Sequence, residues 1–232
     1  MNAAIQTGFD YIYSENSQGR FGISEMVFRK IWESIVTQEI PPGEKITEEF
    51  LSQTFEVSRT PLREAVQRLV EIGMIVKQNN RAIIVSELNR KNMRDLSVVR
   101  EHLEGLIAFE IWQKNKAGEI SLDTLKEWNE RMNKFATMED AAMVVECGLA
   151  FHQEMRALSD NRVAKMALEK VLLGLETYRR MMEPNMQRCH QVISEHSDFL
   201  KALEGDNSEK VEHSMRTHLR NSAEAIIAIL PE

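Results

Sequence analysis

The sequence is poor in the residues that break or staple a chain. Its 232 residues include only ten Gly, five Pro and two Cys. So few turn-formers argue against a sandwich or barrel and favour long helices. Cys147 and Cys189 cannot build a disulfide framework, which points to a reducing compartment. The N-terminus shows no basic segment followed by an apolar run, and no stretch approaches the ~18 apolar residues of a membrane span. A soluble, cytoplasmic protein with no membrane partner is therefore expected. A Gly-rich phosphate loop and a nucleophile motif are also missing, which removes the usual starting points for an enzyme.

What is present is enough to bury a core, with 43% hydrophobic and 28% charged residues. The net charge of -7 weighs at first against a nucleic-acid binder. Its distribution reverses that reading. Residues 20–90 hold ten Lys/Arg against ten Glu, so the whole deficit lies elsewhere. A neutral segment still presents a basic face when its charges segregate by side.

Three regions follow from the pattern. Residues 1–22 are polar, with a weak aromatic cluster at Phe9, Tyr11 and Tyr13, and read as an N-terminal arm. Residues 23–87 begin with a helix that Ser24 would cap, carrying Val27, Ile31 and Ile35, and ended by Pro41-Pro42-Gly43. Thr47 caps a short helix over 48–54, and Ser58 caps a third that runs to about Ile72 and stops at Gly73. Two β-type runs, Met74–Lys77 and Ala82–Val85, flank the turn Gln78-Asn79-Asn80. Three helices and a β-hairpin in this span predict a winged helix-turn-helix.

From 88 to 232 the pattern is helical throughout, and a mainly α fold results. Successive stripes are Leu96/Val99/Leu103/Ile107/Ile111, Leu122/Leu125/Trp128, Val145/Leu149/Met155, Val163/Ala167/Val171/Leu175/Tyr178, Ile193/Leu200/Leu203 and Val211/Met215/Leu219. They predict a bundle of six or seven helices.

The third helix carries the first candidate site. Leu62, Ala65, Val66 and Leu69 form an inward face, while Arg59, Arg63 and Gln67 fall at i, i+4 and i+8 on the other. Thr60 lies in the first turn, where free backbone N–H groups favour a phosphate, and Pro61 is tolerated there. Arg pairs bidentately with guanine and Gln with adenine in a major groove. Solvated surface charge is the bland alternative for an isolated helix. The short helix before it and the hairpin after it, with Asn80 and Arg81 near the tip, favour a DNA-reading unit.

The run PPGEKITEEFLSQTFEVSRTPLREAVQRLVEIGMI, Pro41 to Ile75, resembles the winged-helix signature of the GntR family of bacterial regulators, most specifically in VSRTPLREA. The resemblance implies DNA contacts from Arg59 and Arg63, with Thr60 helping, and Ser58 at the helix start is a further candidate contact. The family's wing usually reads N-R-G, where this chain has Asn80-Arg81-Ala82. The second half resembles the FadR-type effector domain of that family, through Val98 to Glu104, Phe151-His152, Glu195-His196 and His218-Leu219.

Three of the six histidines, His152, His196 and His218, lie on apolar stripes of three different helices. Burying several imidazoles without shared partners costs roughly 1–3 kcal/mol each, which argues that they act together. The resemblance implies an Asp/His/His/His site for a divalent metal, zinc or nickel, beside an effector pocket. The position one turn before His152 is Gly148, so the carboxylate is absent. Either three histidines hold the metal with water and an effector carboxylate, or a metal-free cluster binds an anion directly. The resemblance also implies that Arg100 helps bind the effector, which would then be a small organic or sugar acid; an ion pair with Glu104 is its structural alternative.

The expected function is a DNA-binding transcription regulator, a homodimer on a palindromic operator, controlled by that effector. A metal-dependent hydrolase using the three histidines is the competing class, weakened by the lack of a general base at suitable spacing.

Overall fold

A computed structural model describes Ile12, residues 22–78 and residues 82–231. Asn79, Asn80, Arg81 and all of the 1–22 arm except Ile12 and Gly22 lie outside the described residues. The chain divides into two compact units. The first runs to Met93 and takes in Lys170–Met181 and the residues from Leu230, and the second comprises Arg94–Glu169 and Met182–Ile229.

In the first unit, α1 (Ile23–Val36) begins two residues earlier than the Ser24 cap predicts, with Gly22 as its N-cap and no side-chain cap bond. It buries Val27, Phe28, Ile31, Trp32 and Ile35, and each such side chain contributes about 1.5–3 kcal/mol on leaving water. The Thr47 hydroxyl accepts from the Phe50 N–H and starts α2 (Glu48–Thr54), as expected. Ser58 stands at the N-cap of α3 (Arg59–Glu71), though its hydroxyl makes no cap bond. Leu62, Ala65, Val66 and Leu69 are fully buried and α3 packs on α1. Gly73 closes α3 at φ +77°, a left-handed conformation that glycine adopts without strain.

The hairpin is β2 (Ile75–Lys77) with β3 (Ala82–Val85), and a further strand, β1 (Lys45–Thr47), pairs antiparallel to the other side of β3. This third strand extends the expected hairpin. Three residues between a Pro-Gly turn and a helix are too few to show alternation. Two longer-range bonds complete this unit: the Trp32 indole N–H donates to the Leu173 carbonyl at 3.2 Å, and the Asn92 amide donates to the Tyr178 hydroxyl at 3.2 Å.

Six helices follow: α4 (Arg90–Lys116), α5 (Asp123–Thr137), α6 (Ala141–Leu158), α7 (Arg162–Arg179), α8 (Met186–Glu204) and α9 (Ser208–Ile227). Asp140, Asn185 and Asn207 each accept a backbone N–H three residues on, capping α6, α8 and α9. The second unit is centred on Phe151, Met155, Leu168, Phe199, Leu203 and Met215, all fully buried. Two of the expected stripes are displaced by one position in their first turns, while Met155, Leu175 and Tyr178 are buried as expected. On α6 Val144, Cys147, Phe151 and Met155 are among the buried residues, with Val145 and Leu149 at their margin. On α7 Val163 is 78% exposed, and Ala164 and Leu168 are buried instead. Val99 on α4 is also exposed. Both cysteines are free and buried. Among the described residues no helix is long and apolar enough to cross a membrane.

A reading helix and a buried three-histidine cluster

The outward side of α3 carries Arg59, Thr60, Arg63 and Gln67, all exposed, with Ser58 exposed at its start. The inward apolar face leaves these side chains no alternative. Arg63 is not free: its Nε donates to Glu48 on α2 at 3.1 Å, and Lys77 of β2 lies 3.9 Å from the same carboxylate. Glu48 thereby brings a cation of the reading helix and one of the wing strand together. Asn80 and Arg81, the expected wing contacts, lie outside the described residues.

The second site is assembled from four helices. His152 (α6), His196 (α8) and His218 (α9) are buried, and one ring nitrogen from each falls within 4.8 Å of the others. His152 Nε2 lies 3.1 Å from His218 Nε2, and His196 Nε2 lies 3.2 Å from it. Phe151 stacks on His196 with ring centroids 4.2 Å apart and fixes that imidazole's plane.

Two carboxylates set the proton positions. Glu104 of α4, fully buried, accepts from His152 Nδ1 at 2.7 Å, and Glu195 of α8 accepts from His218 Nδ1 at 2.7 Å. A carboxylate at Nδ1 requires the proton there, so Nε2 of each ring carries a bare lone pair. Arg100 donates from Nε to Glu104 at 2.6 Å, and Arg188 donates from both terminal nitrogens to Glu195 at 2.8 and 2.9 Å. The ion-pair alternative for Arg100 is therefore the one observed, and that pair joins Arg100 to the cluster through Glu104.

Burial lowers the His152 pKa to about 4 despite the neighbouring Glu104, and burial likewise lowers those of His196 and His218. For Glu104, burial would raise the pKa, but Arg100 and His152 together hold it well below the ordinary carboxylate range. Glu195 is held at about 2, where hydrogen bonds from His218 and Arg188 outweigh its burial. The site is thus three neutral imidazoles backed by two anions, a donor set of the kind that zinc and nickel accept. At Gly148 the nearest atom to a Cβ would be Met132 Sδ, 3.7 Å away, so a thioether borders the position where the expected carboxylate is missing. Glu104 and Glu195 were present in the sequence only as members of matching segments. Their bonds to the histidines span 48 and 23 residues, and no local spacing signals them.

A three-helix winged unit with an exposed Arg/Thr/Arg/Gln face, followed by a helical bundle around a polar cluster, defines a DNA-binding regulator with a second functional domain. Residues 23–85 match the bacterial regulatory proteins of the gntR family, and residues 95–221 match the FCD domain. The chain belongs to this family of GntR regulators bearing an FCD domain. It is 23% identical over 222 residues to the transcriptional repressor RspR of Escherichia coli K12, covering 90% of this chain and 91% of that one. It is 24% identical over 206 residues to the regulator YdhC of Bacillus subtilis 168, covering 88% and 91%. The E. coli McbR/YncC structure shares the fold at a TM-score of 0.67 and 16% identity, over 90% of this chain and 99% of that one. The chain is a transcription regulator and not an enzyme, which removes the hydrolase alternative.

Proposed function

We propose that this regulator binds a palindromic operator as a homodimer and releases or tightens it in response to a small organic or sugar acid. Ser58, Arg59, Thr60, Arg63 and Gln67 form the reading face, with Asn80 and Arg81 of the wing supplying phosphate or minor-groove contacts. Residues 23–87 make up the DNA-binding domain, and 88–232 the effector-binding and dimerisation domain.

The observation that carries the sensing half is the contact between His152 Nε2 and His218 Nε2 at 3.1 Å. Both nitrogens are bare because both protons face carboxylates, so no hydrogen lies between them. Two facing lone pairs in a buried site repel unless a cation sits against them. A metal ion set against these nitrogens would relieve that repulsion. Zinc or nickel bonds of about 2.1 Å place neighbouring nitrogens roughly 3.0–3.4 Å apart, and the two spacings to His218 Nε2, 3.1 and 3.2 Å, fall in that range. The same lone pairs disfavour direct binding of an anion. His152, His196 and His218 would hold the metal. When bound, it supplies a positive centre with room for an acid's carboxylate. Arg100, one hydrogen bond from the cluster through Glu104, is the cation proposed to meet that acid. Effector binding would change DNA affinity by shifting the populations of two arrangements of the dimer.

The DNA assignment is tested by titrating labelled operator with Arg59→Ala and Arg63→Ala variants. Each base contact is worth about 1–3 kcal/mol, so each variant should weaken specific binding roughly 5- to 150-fold. Unchanged affinity in a variant with native helicity would remove α3 from the interface.

A further inference from the structure

β1 gives way to α2 between Thr47 and Glu48, at the end of the sheet where β2 and β3 are joined. Thr47 pairs with Ala82 and Lys77 with Ile83, so β1 and β2 flank β3 in the same direction and finish at neighbouring levels. Glu48 therefore stands close to Lys77, and α3 brings Arg63 to the same place. Glu48 Oε2 accepts from Arg63 Nε at 3.1 Å, and its Oε1 lies 3.9 Å from Lys77 Nζ. The Glu48 side chain is only 19% exposed, against 58% for Arg63. As the first residue of α2, after the Thr47 cap, its charge is also favoured by the free N–H groups of that helix end.

A carboxylate on a face that meets phosphates repels them, and a surface ion pair adds little to stability. The placement of Glu48 suits a different task. Its bond to Arg63 uses Nε, at the root of the guanidinium, and the two terminal nitrogens make no hydrogen bond among the described residues. Those two nitrogens form the fork that pairs with O6 and N7 of guanine. An untethered arginine spreads over many rotamers, and phosphate attracts it without regard to sequence.

We propose that Glu48 is a positioning residue for base reading, holding Arg63 by Nε so that its terminal fork meets a guanine edge, with Lys77 of the wing strand in the same grip. This role rests on the reading-face assignment of α3 above. Glu48 touches no DNA atom in it and acts by removing the alternatives open to Arg63. Its charge also offsets one of two cations, which keeps affinity for arbitrary DNA low. Discrimination therefore widens from both sides, through a better fit to the operator and a poorer one to everything else. Arg59, on the same face, makes no ion pair among the described residues and serves as the internal comparison.

The test uses the full-length protein and a duplex that the wild-type chain selects from a randomised library. Single-base variants of that duplex give the discrimination at each position for wild type, Arg59→Ala, Arg63→Ala, Glu48→Ala and Glu48→Gln, each checked for native helicity. Arg63→Ala should lose about 5- to 150-fold discrimination at one guanine. Glu48→Ala should lose at least about fivefold at that same guanine, and none at the position that Arg59→Ala relaxes. In an Arg63→Ala background it should cost no further discrimination. On non-operator DNA, Glu48→Ala should bind more tightly, with the slope of log K against log salt steeper by about 1, because a freed cation takes a phosphate. Glu48→Gln keeps an acceptor for Nε without the charge, so it should recover part of the guanine discrimination. A Glu48→Ala variant that keeps full discrimination at that guanine, or loses it equally at every position, would overturn the positioning role and leave the reading face intact. An Arg63→Ala variant with unchanged base preference would overturn both.

Discussion

Replacing Glu104 by Gln removes one negative charge and exchanges an acceptor oxygen for an amide donor. In the wild-type protein the two oxygens of Glu104 receive Arg100 Nε at 2.6 Å and His152 Nδ1 at 2.7 Å, and no part of the side chain is exposed. A glutamine can accept from only one of them, and its amino group then faces the other donor. Breaking one partner out of a buried charged arrangement costs about 3–5 kcal/mol, and part is recovered through the remaining bond. A net loss of about 2–4 kcal/mol lowers Tm by roughly 4–16 °C for a chain of this size. His152 can relieve the clash by moving its proton to Nε2, which removes that nitrogen from metal binding. Loss of an outer carboxylate typically lowers metal affinity 10- to 100-fold. Thermal unfolding with and without chelator, together with isothermal titration of zinc into stripped protein, reads both effects, with His196→Ala as the reference for a lost ligand. A Glu104→Gln variant that melts like wild type and binds zinc with unchanged affinity would refute the claim that Glu104 fixes the His152 tautomer.

Two further outcomes follow from the backbone and from the histidines. Glu56 sits at φ +53°, between α2 and α3, where a side chain is strained. Glu56→Gly should stabilise the winged unit by about 1 kcal/mol, read as a higher urea midpoint at unchanged slope; a loss of stability would mean that the side chain contributes more than the strain costs. In metal-stripped protein, His152 is a base whose folded pKa of about 4 lies below the ordinary value of about 6.5. The unfolded chain then binds more protons between those values, so stability is intact above pH 6.5 and falls as the pH drops toward 4. Tm should decline over that window and decline less in a His152→Leu variant. A flat profile would contradict a neutral buried ring.

The reading helix was legible because its faces are unambiguous. Leu62, Ala65, Val66 and Leu69 form one apolar stripe bordered by charge, so only one phase of the helical period fits. The bundle helices were legible in number but not in phase. Around Val144–Val145 and Val163–Ala164 apolar residues are adjacent, and helices that bury a broad face give two stripes that satisfy the same period. Packing, not pattern, selects Ala164 and Leu168 over Val163 and Ala167. The histidines could be named from their stripes, and the structure brings their nitrogens together. The carboxylates that set their protons could not be named, since Glu104 meets His152 only through the tertiary fold. Arg100 was visible as a cation near the site, and its commitment to Glu104 was the alternative already apparent at i+4.

The indole N–H of Trp32 finds its acceptor 141 residues away, at Leu173 in the second half of α7. A gene fragment cut at residue 87 would thus encode a reading head with part of its own floor removed, leaving that N–H without its partner in a core otherwise closed to water. By its sequence such a fragment looks like an independent module, but its strength would be borrowed from a helix it no longer carries.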